Sequence, residues 1–296
     1  MSLLSTLRFI LGHPLNSGSR AQALRRFVAW QLGSRLVPGP VVMEFVNGSR
    51  LVVSRGTAAV TGNLYTRLHE FAEMAFVLHA IRAGDLFVDV GANIGAYTVL
   101  AASIPGARCA AFEPAPETFE RLTENIRLND FGSRVQANQM AAGSEDGELV
   151  FTKGLDSVNH VVGPDDHTKG GTTVRVRRLD TVLHAENPVV MKIDVEGYEM
   201  LVLRGAEALL NNDTLLAVVL EMNGSGARYG IDEKEIDELM VRHGFVARSY
   251  DPRERKLTPV PNPNPSGNRI YVRNPADVEQ RLRSAPRFSL AGGTSL

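Results

Sequence analysis

Apolar residues follow two rhythms along this chain. Short unbroken apolar runs predict strands buried on both faces, and apolar residues three or four apart predict helices. Phe87, Val88 and Val90 form the first such run, and Tyr97, Val99, Leu100, Ala101 and Ala102 then predict a helix. The alternation continues with a strand over 107–112, a helix with Phe119, Leu122 and Ile126 on its inner face, and strands over 135–140, 189–193 and 215–220. Strands alternating with helices predict a parallel sheet covered on both faces. Segments 245–250 and 268–272 read as a closing antiparallel pair, and 148–152 with 173–177 as a second pair. Asp232 with Glu235 predicts a capped helix start, and Gly244 its end.

Upstream, 65–82 predicts one helix with Leu68, Phe71, Met74, Ala75 and Leu78 on a stripe, closed by Gly84. Segment 41–54 predicts a hairpin turning at Asn47-Gly48. Before it, Leu24, Phe27, Val28, Leu32 and Leu36 recur at helical spacing. The expected organisation is an N-terminal helix and hairpin extension over 1–63, a main domain over 64–275, and a tail over 276–296, disordered after Pro286. Pro259, Pro261, Pro263 and Pro265 predict a stiff extended loop.

The 296 residues are 44% hydrophobic and 22% charged, ordinary for a globular protein with a sizeable core. The formal net charge of -1 gives no global pull toward nucleic acid. The single cysteine, Cys109, excludes an internal disulfide and a cysteine-built metal cage. No apolar run reaches membrane-spanning length, and the start lacks a convincing secretory cleavage site, so the expected location is cytoplasmic. The first forty residues carry Arg8, Arg20, Arg25, Arg26 and Arg35 but no acid. That fits a helix packed on the main domain with a solvated basic face, or weak contact with an anionic membrane surface.

The chemistry centres on DLFVDVGANIGAYT, residues 85–98. Asp89 sits in the strand, and Gly91 and Gly95 follow with a spacing of four. Gly91 permits a sharp turn in dihedrals that a side chain resists. Gly95 lets the helix start approach a ligand or the strand, and exposed amides there suit an anion. A dinucleotide-binding turn would be G-x-G-x-x-G, but Asn93 occupies its middle glycine position. A dehydrogenase is therefore disfavoured. Glu113 ends the second strand, where an acid in doubly wound folds accepts hydrogen bonds from both ribose hydroxyls; the other reading is a helix-start acid favoured by the dipole. The small residues Ala141, Ala142 and Gly143 leave room for a flat ring.

In a second stretch, PVVMKIDVEGYEMLVLRG, Lys192, Asp194 and Glu196 emerge at the end of an apolar strand. Ligands bind beyond the carboxyl ends of strands in open parallel sheets. Glu221 and Asn223 close the next strand. In the polar loop 153–171, with His160, Asp165, Asp166 and His167, a metal set or plain solvated polarity is possible.

FVDVGANIGAYT, FEPAPETFERLTENIRLN, RRLDTVL, MKIDVEGYEMLVLRGA and LEMN together resemble the FkbM family of methyltransferases, over roughly 64–250. The resemblance implies a class I, Rossmann-like methyltransferase fold with a seven-stranded, mostly parallel sheet and an antiparallel last strand. It implies S-adenosyl-L-methionine as donor and a small-molecule or glycan hydroxyl as acceptor. Asp89, Gly91, Asn93 and Gly95 match the cofactor turn, Glu113 the ribose acid, and Asp194 and Glu196 the acidic motif; Ala142 is the expected adenine neighbour. Asp194 is the first-choice general base, with Glu196 and Glu221 in reserve. A Mg²⁺ held by Asp194, Glu221 and Asn223 is the metal-assisted variant. A non-catalytic cofactor-binding or interaction module is the other class of reading.

Overall fold

The structure is a computed structural model describing residues 3–37, 39–54, 58–152, 160–162, 171–261 and 267–296. Two helices come first, α1 (Leu3–Gly12) and α2 (Arg20–Leu36). The hairpin β1 (Val41–Glu44) and β2 (Arg50–Val53) follows. Asn47 and Gly48 both have positive φ at its turn, as the Asn-Gly pair predicts.

The expected helix over 65–82 is two helices, α3 (Ala58–Thr66) and α4 (Phe71–Ala80). Arg67 between them has φ +73°. Its amide still bonds back to the Asn63 carbonyl at 2.7 Å, while its Nε donates to the Ala291 carbonyl at 2.8 Å. The Asn63 side chain takes the His69 amide. The apolar stripe runs on across this break, which is why periodicity alone misses it. The expected boundary between 63 and 64 falls inside α3.

The chain then alternates through β3 (Leu86–Val90), α5 (Ala96–Ala102), β4 (Arg108–Phe112), α6 (Pro116–Leu128) and β5 (Val135–Asn138). A small side sheet interrupts it, made of β6 (Ala141–Ala142), β7 (Gly147–Thr152) and β8 (Gly171–Arg177). After α7 (Leu179–Val182), β9 (Pro188–Ile193) re-enters the main sheet, followed by α8 (Glu199–Arg204), α9 (Glu207–Leu210) and β10 (Ala217–Glu221). Asp180 of the RRLDTVL stretch accepts the Ala208 and Leu209 amides and so caps α9, a structural task. Helix α10 (Glu233–Arg242) starts on the expected Asp232–Glu235 capping box. The last elements are β11 (Val246–Asp251), β12 (Lys256–Thr258), β13 (Asn268–Val272), α11 (Pro275–Arg283), β14 (Ser289–Leu290) and β15 (Thr294–Ser295).

The main sheet runs β12-β11-β13-β10-β9-β3-β4-β5. Strands β5, β4, β3, β9 and β10 are parallel, and β13 is antiparallel to both β10 and β11. This is the expected Rossmann-like sheet with one correction: it has eight strands where seven are expected, because β12 folds back on β11 at the edge. The direction of winding reverses between β3 and β9, the place where such sheets bind ligands.

The tail is also a correction. Expected to be disordered after Pro286, it forms the β14–β15 hairpin instead. Phe288 and Leu290 are buried, and the Asn47 amide donates to the Ser289 carbonyl at 2.7 Å. Two apolar side chains covering the β1–β2 turn offset the entropy of ordering a short segment. Ala23, Phe27, Trp30 and Phe288 join the same core cluster as Phe87 and Val99.

Candidate active site

Register brings the two informative stretches together. In the β3–β9 pair Asp89 stands beside Lys192, and Val90 beside Ile193. One residue further on, the Asp194 amide donates to the Val90 carbonyl at 3.0 Å. Gly91 has φ +76°, and a Cβ there would lie 1.8 Å from the Asp194 carbonyl oxygen. Glycine is required at 91 by this strand contact. At Gly95 a Cβ would meet Leu122 Cδ1 at 2.6 Å, so this glycine lets α6 pack over the start of α5.

Glu113 ties the two turns together. Its Oε2 accepts the Asn93 amide and its Oε1 the Ala115 amide, both at 2.9 Å. Burial pushes its carboxyl from the ordinary 4.5 up to about 7, against these two amide bonds. The proton is therefore favoured in the folded state. Glu113 contributes most to stability at low pH and loses that contribution as pH rises from about 4.5 through 7.

Gly91, Asn93, Glu113, Ala142, Asp194 and Glu196 line one cleft at the carboxyl ends of β3, β4 and β9. Phe112, Met140, Phe151, Val161 and Tyr198 complete its apolar wall. The sequence reading missed these, because an apolar side chain in a strand or loop carries no local mark of facing a ligand. Asp89, Gly95 and Glu221 do not line the cleft. Asp89 is 1% exposed and accepts from Thr98 Oγ1 at 2.6 Å. It stands in the core beside Lys192.

Lys192 Nζ donates to Asp194 Oδ2 at 2.8 Å and lies 4.8 Å from the centre of the Tyr97 ring. Burial pulls its pKa down, but Asp194, Asp89 and Glu70 outweigh that and hold it charged. Behind it, Tyr97 donates to Glu70 at 2.6 Å, and Asn268 donates to the other Glu70 oxygen at 2.9 Å.

Asp194, Glu196 and Glu221 each bring a carboxylate oxygen within 4.8 Å of the other two. Three such charges cannot all persist together. Asp194 is half-buried, and its loss of hydration favours the neutral form, but the Lys192 ammonium outweighs that and keeps it ionised. Glu221 is held protonated by burial and by the Asp194 and Glu196 charges. Glu196 is pushed from 4.5 up to about 7 by burial, then by Asp194 and Glu199. It also sits at φ +55°, and Arg228 donates to its carbonyl at 3.0 Å. The oxygen set would accept a hard divalent cation as well as shared protons. Its third member is Glu196; the alternative candidate Asn223 spends its Oδ1 on the Ser225 amide. Asp165, Asp166 and His167 lie outside the described residues, as do Pro263 and Pro265.

A family profile described as "Methyltransferase FkbM domain" matches residues 89–247. Hexuronic acid methyltransferase AglP of Haloferax volcanii is 30% identical over 169 residues, 55% of this chain and 64% of that protein. Methyltransferase 1 of Beauveria bassiana is 33% identical over 148 residues, 42% of this chain and 59% of that protein. In both cases less than two thirds of the relative's length is spanned. The 31-O-demethyl-FK506 methyltransferase FkbM of Streptomyces tacrolimicus is 30% identical over 220 residues, 62% of this chain and 82% of that protein. The matched profile spans both the glycine turn and the acidic strand end that form the cleft, and on that match this chain belongs to the FkbM methyltransferase family.

Proposed function

We propose that this protein transfers a methyl group from S-adenosyl-L-methionine to a hydroxyl oxygen of a sugar, glycan or other small natural product, in the cytoplasm. The observation that carries the reading is the single cleft with Glu113 at one side and the Asp194–Glu196 pair at the other. The residues fit the donor. Each Glu113 oxygen takes one amide and keeps acceptor capacity for a ribose diol. Phe112, Met140 and Ala142 offer an apolar wall for adenine. Two of the relatives are named for a hexuronic acid and for 31-O-demethyl-FK506, which supports an oxygen acceptor.

When bound, the donor supplies an activated sulfonium methyl. The chain's part is alignment and proton acceptance. Glu196 would take the acceptor hydroxyl's proton while that oxygen receives the methyl group. We place the base at Glu196 rather than at Asp194, the first choice from sequence. A base works best with a pKa near the operating pH; Glu196 is poised at about 7, whereas Lys192 makes Asp194 a weak base. Asp194, kept ionised by Lys192, raises Glu196's affinity for the proton, while the Lys192 charge itself lowers it.

The test is donor binding by calorimetry, followed by labelled methyl transfer into a pool of sugars and natural products. Donor binding without any labelled product would favour the non-catalytic reading. Glu113→Ala should weaken donor binding by about 1.5–3 kcal/mol, the worth of hydrogen bonds to a charged group. Wild-type affinity should also fall as pH drops below about 7, where Glu113 takes up its proton. A loss within calorimetric error would return Glu113 to a helix-start role.

The carboxylate trio supports a second, metal-assisted reading. Under the base mechanism, chelator leaves the rate unchanged. Loss of activity in chelator, restored by Mg²⁺, would put the cation in the mechanism.

A further inference from the structure

Helix α2 carries apolar residues on two opposite sides. Ala23, Phe27 and Trp30 are buried against the body, with the Phe27 ring edge-on to Tyr65 at 5.3 Å. Arg26 also turns inward, donating to Asn16 and to the Tyr65 carbonyl at 2.8 Å. At about 100° per residue, Val28, Leu32 and Leu36 centre about 180° away from the buried three. They are bare: Val28 is 49% exposed, Leu32 57% and Leu36 79%. Arg25 and Arg35 are exposed on the same outer side. The pattern therefore exceeds what packing on the main domain requires.

The surrounding surface has the same character. Among the described residues, eight of the eleven large exposed apolar side chains fall between Leu3 and Val42. Residues 1–40 hold five arginines and no acid, in a chain of net charge -1. Among the described residues no helix is long and apolar enough to cross a membrane.

We infer that the outer face of α2 is a docking surface for an anionic lipid bilayer, with Val28, Leu32 and Leu36 entering the headgroup boundary and Arg25 and Arg35 meeting lipid phosphates. An aliphatic row flanked by arginines on a helix lying flat is the arrangement that interfacial binding needs. A second copy of the chain fits worse. A two-fold contact across this face brings arginines against arginines with no acid from residues 1–40 to answer them. A nucleic acid would leave the aliphatic row unused. A protein groove fits less well, because the row has no aromatic anchor, the type of side chain enriched at such contacts. The inference stands on α2 and the N-terminal surface around it and does not depend on the methyl-transfer reading.

The test is sedimentation of the full chain with phosphatidylcholine vesicles and with phosphatidylcholine–phosphatidylglycerol vesicles. The expected result is binding to the mixed vesicles, weak binding to the neutral ones, and release by salt. Arg25→Gln with Arg35→Gln should weaken partition about 30-fold, from the attraction each arginine makes near an anionic surface. Leu32→Gln with Leu36→Gln should weaken it by about 100-fold. Both double variants should keep the wild-type melting temperature, since the positions are exposed. Equal binding to both vesicle types overturns the proposal, as does wild-type partition by the leucine variant. So does a dimer, seen by light scattering, that the leucine variant abolishes. A lowered melting temperature in that variant also overturns it, because the face would then be covered within the chain.

Discussion

Glu196→Gln is expected to lower methyl transfer by about 10²–10⁴-fold, the usual worth of a general base, with donor affinity and fold retained. The amide keeps the shape of the side chain but cannot take a proton. The wild-type rate should rise with pH through about 7, following ionisation of Glu196, and that limb should vanish from the residual rate of the variant. The stability sign is opposite. A carboxyl raised in the folded state stabilises most at low pH and loses that contribution as pH rises from 4.5 through 7. The glutamine variant should therefore melt no lower than wild type above pH 7. Asp194→Asn is the companion measurement. It removes the charge that raises Glu196 and leaves Lys192 with an uncharged partner, so the rate limb should move to lower pH and the fold should weaken. A near-normal rate for Glu196→Gln, with the large loss at Asp194→Asn, would return the base to Asp194.

Gly91→Ala should destabilise the protein by about 2–5 kcal/mol. About 1–2 kcal/mol comes from a left-handed backbone at a residue with a Cβ, and about 1–3 from forced contact. The contact is with the Asp194 carbonyl, 1.8 Å from the Cβ position. That carbonyl belongs to backbone anchored by the Asp194 amide on Val90, so it cannot swing aside as a side chain tip can. The β3–β9 end should splay, taking Asp194 off Lys192, with donor binding and turnover lost together. A fall in melting temperature of about 5–15 °C is expected. Gly48→Ala is the control: its φ is +77°, but nothing lies within 4 Å of the added Cβ. It should lose only the backbone part, about 1–2 kcal/mol. Gly91→Ala melting as Gly48→Ala does would show that the strand contact yields easily. From the motif alone, a larger residue at 91 would act by blocking the cofactor in an intact fold. The structure puts the next strand's backbone in that space instead.

Local pattern was enough for the parallel strands, the helix starts with clear caps, and the Asn-Gly hairpin. These depend on residues close in sequence: an apolar run bounded by glycine, or Asp232 with Glu235. The same is true of the glycine turn, Glu113 and the acidic strand end, each marked by charge or glycine where an apolar run stops. What the sequence could not decide were contacts between distant segments. Arg67 splits a continuous apolar stripe because its side chain reaches Ala291. The tail orders because Phe288 and Leu290 find the N-terminal hairpin. Val28, Leu32 and Leu36 share a helix with Phe27 and Trp30, yet only docking on Tyr65 decides which set is buried. The choice of base is of the same kind. From the sequence, Asp194 ranks ahead of Glu196 and Glu221 only by its place at the strand end. Register of β3, β9 and β10 places Lys192 against one of them, crowds the three oxygens within 4.8 Å, and so sets their different affinities for the proton.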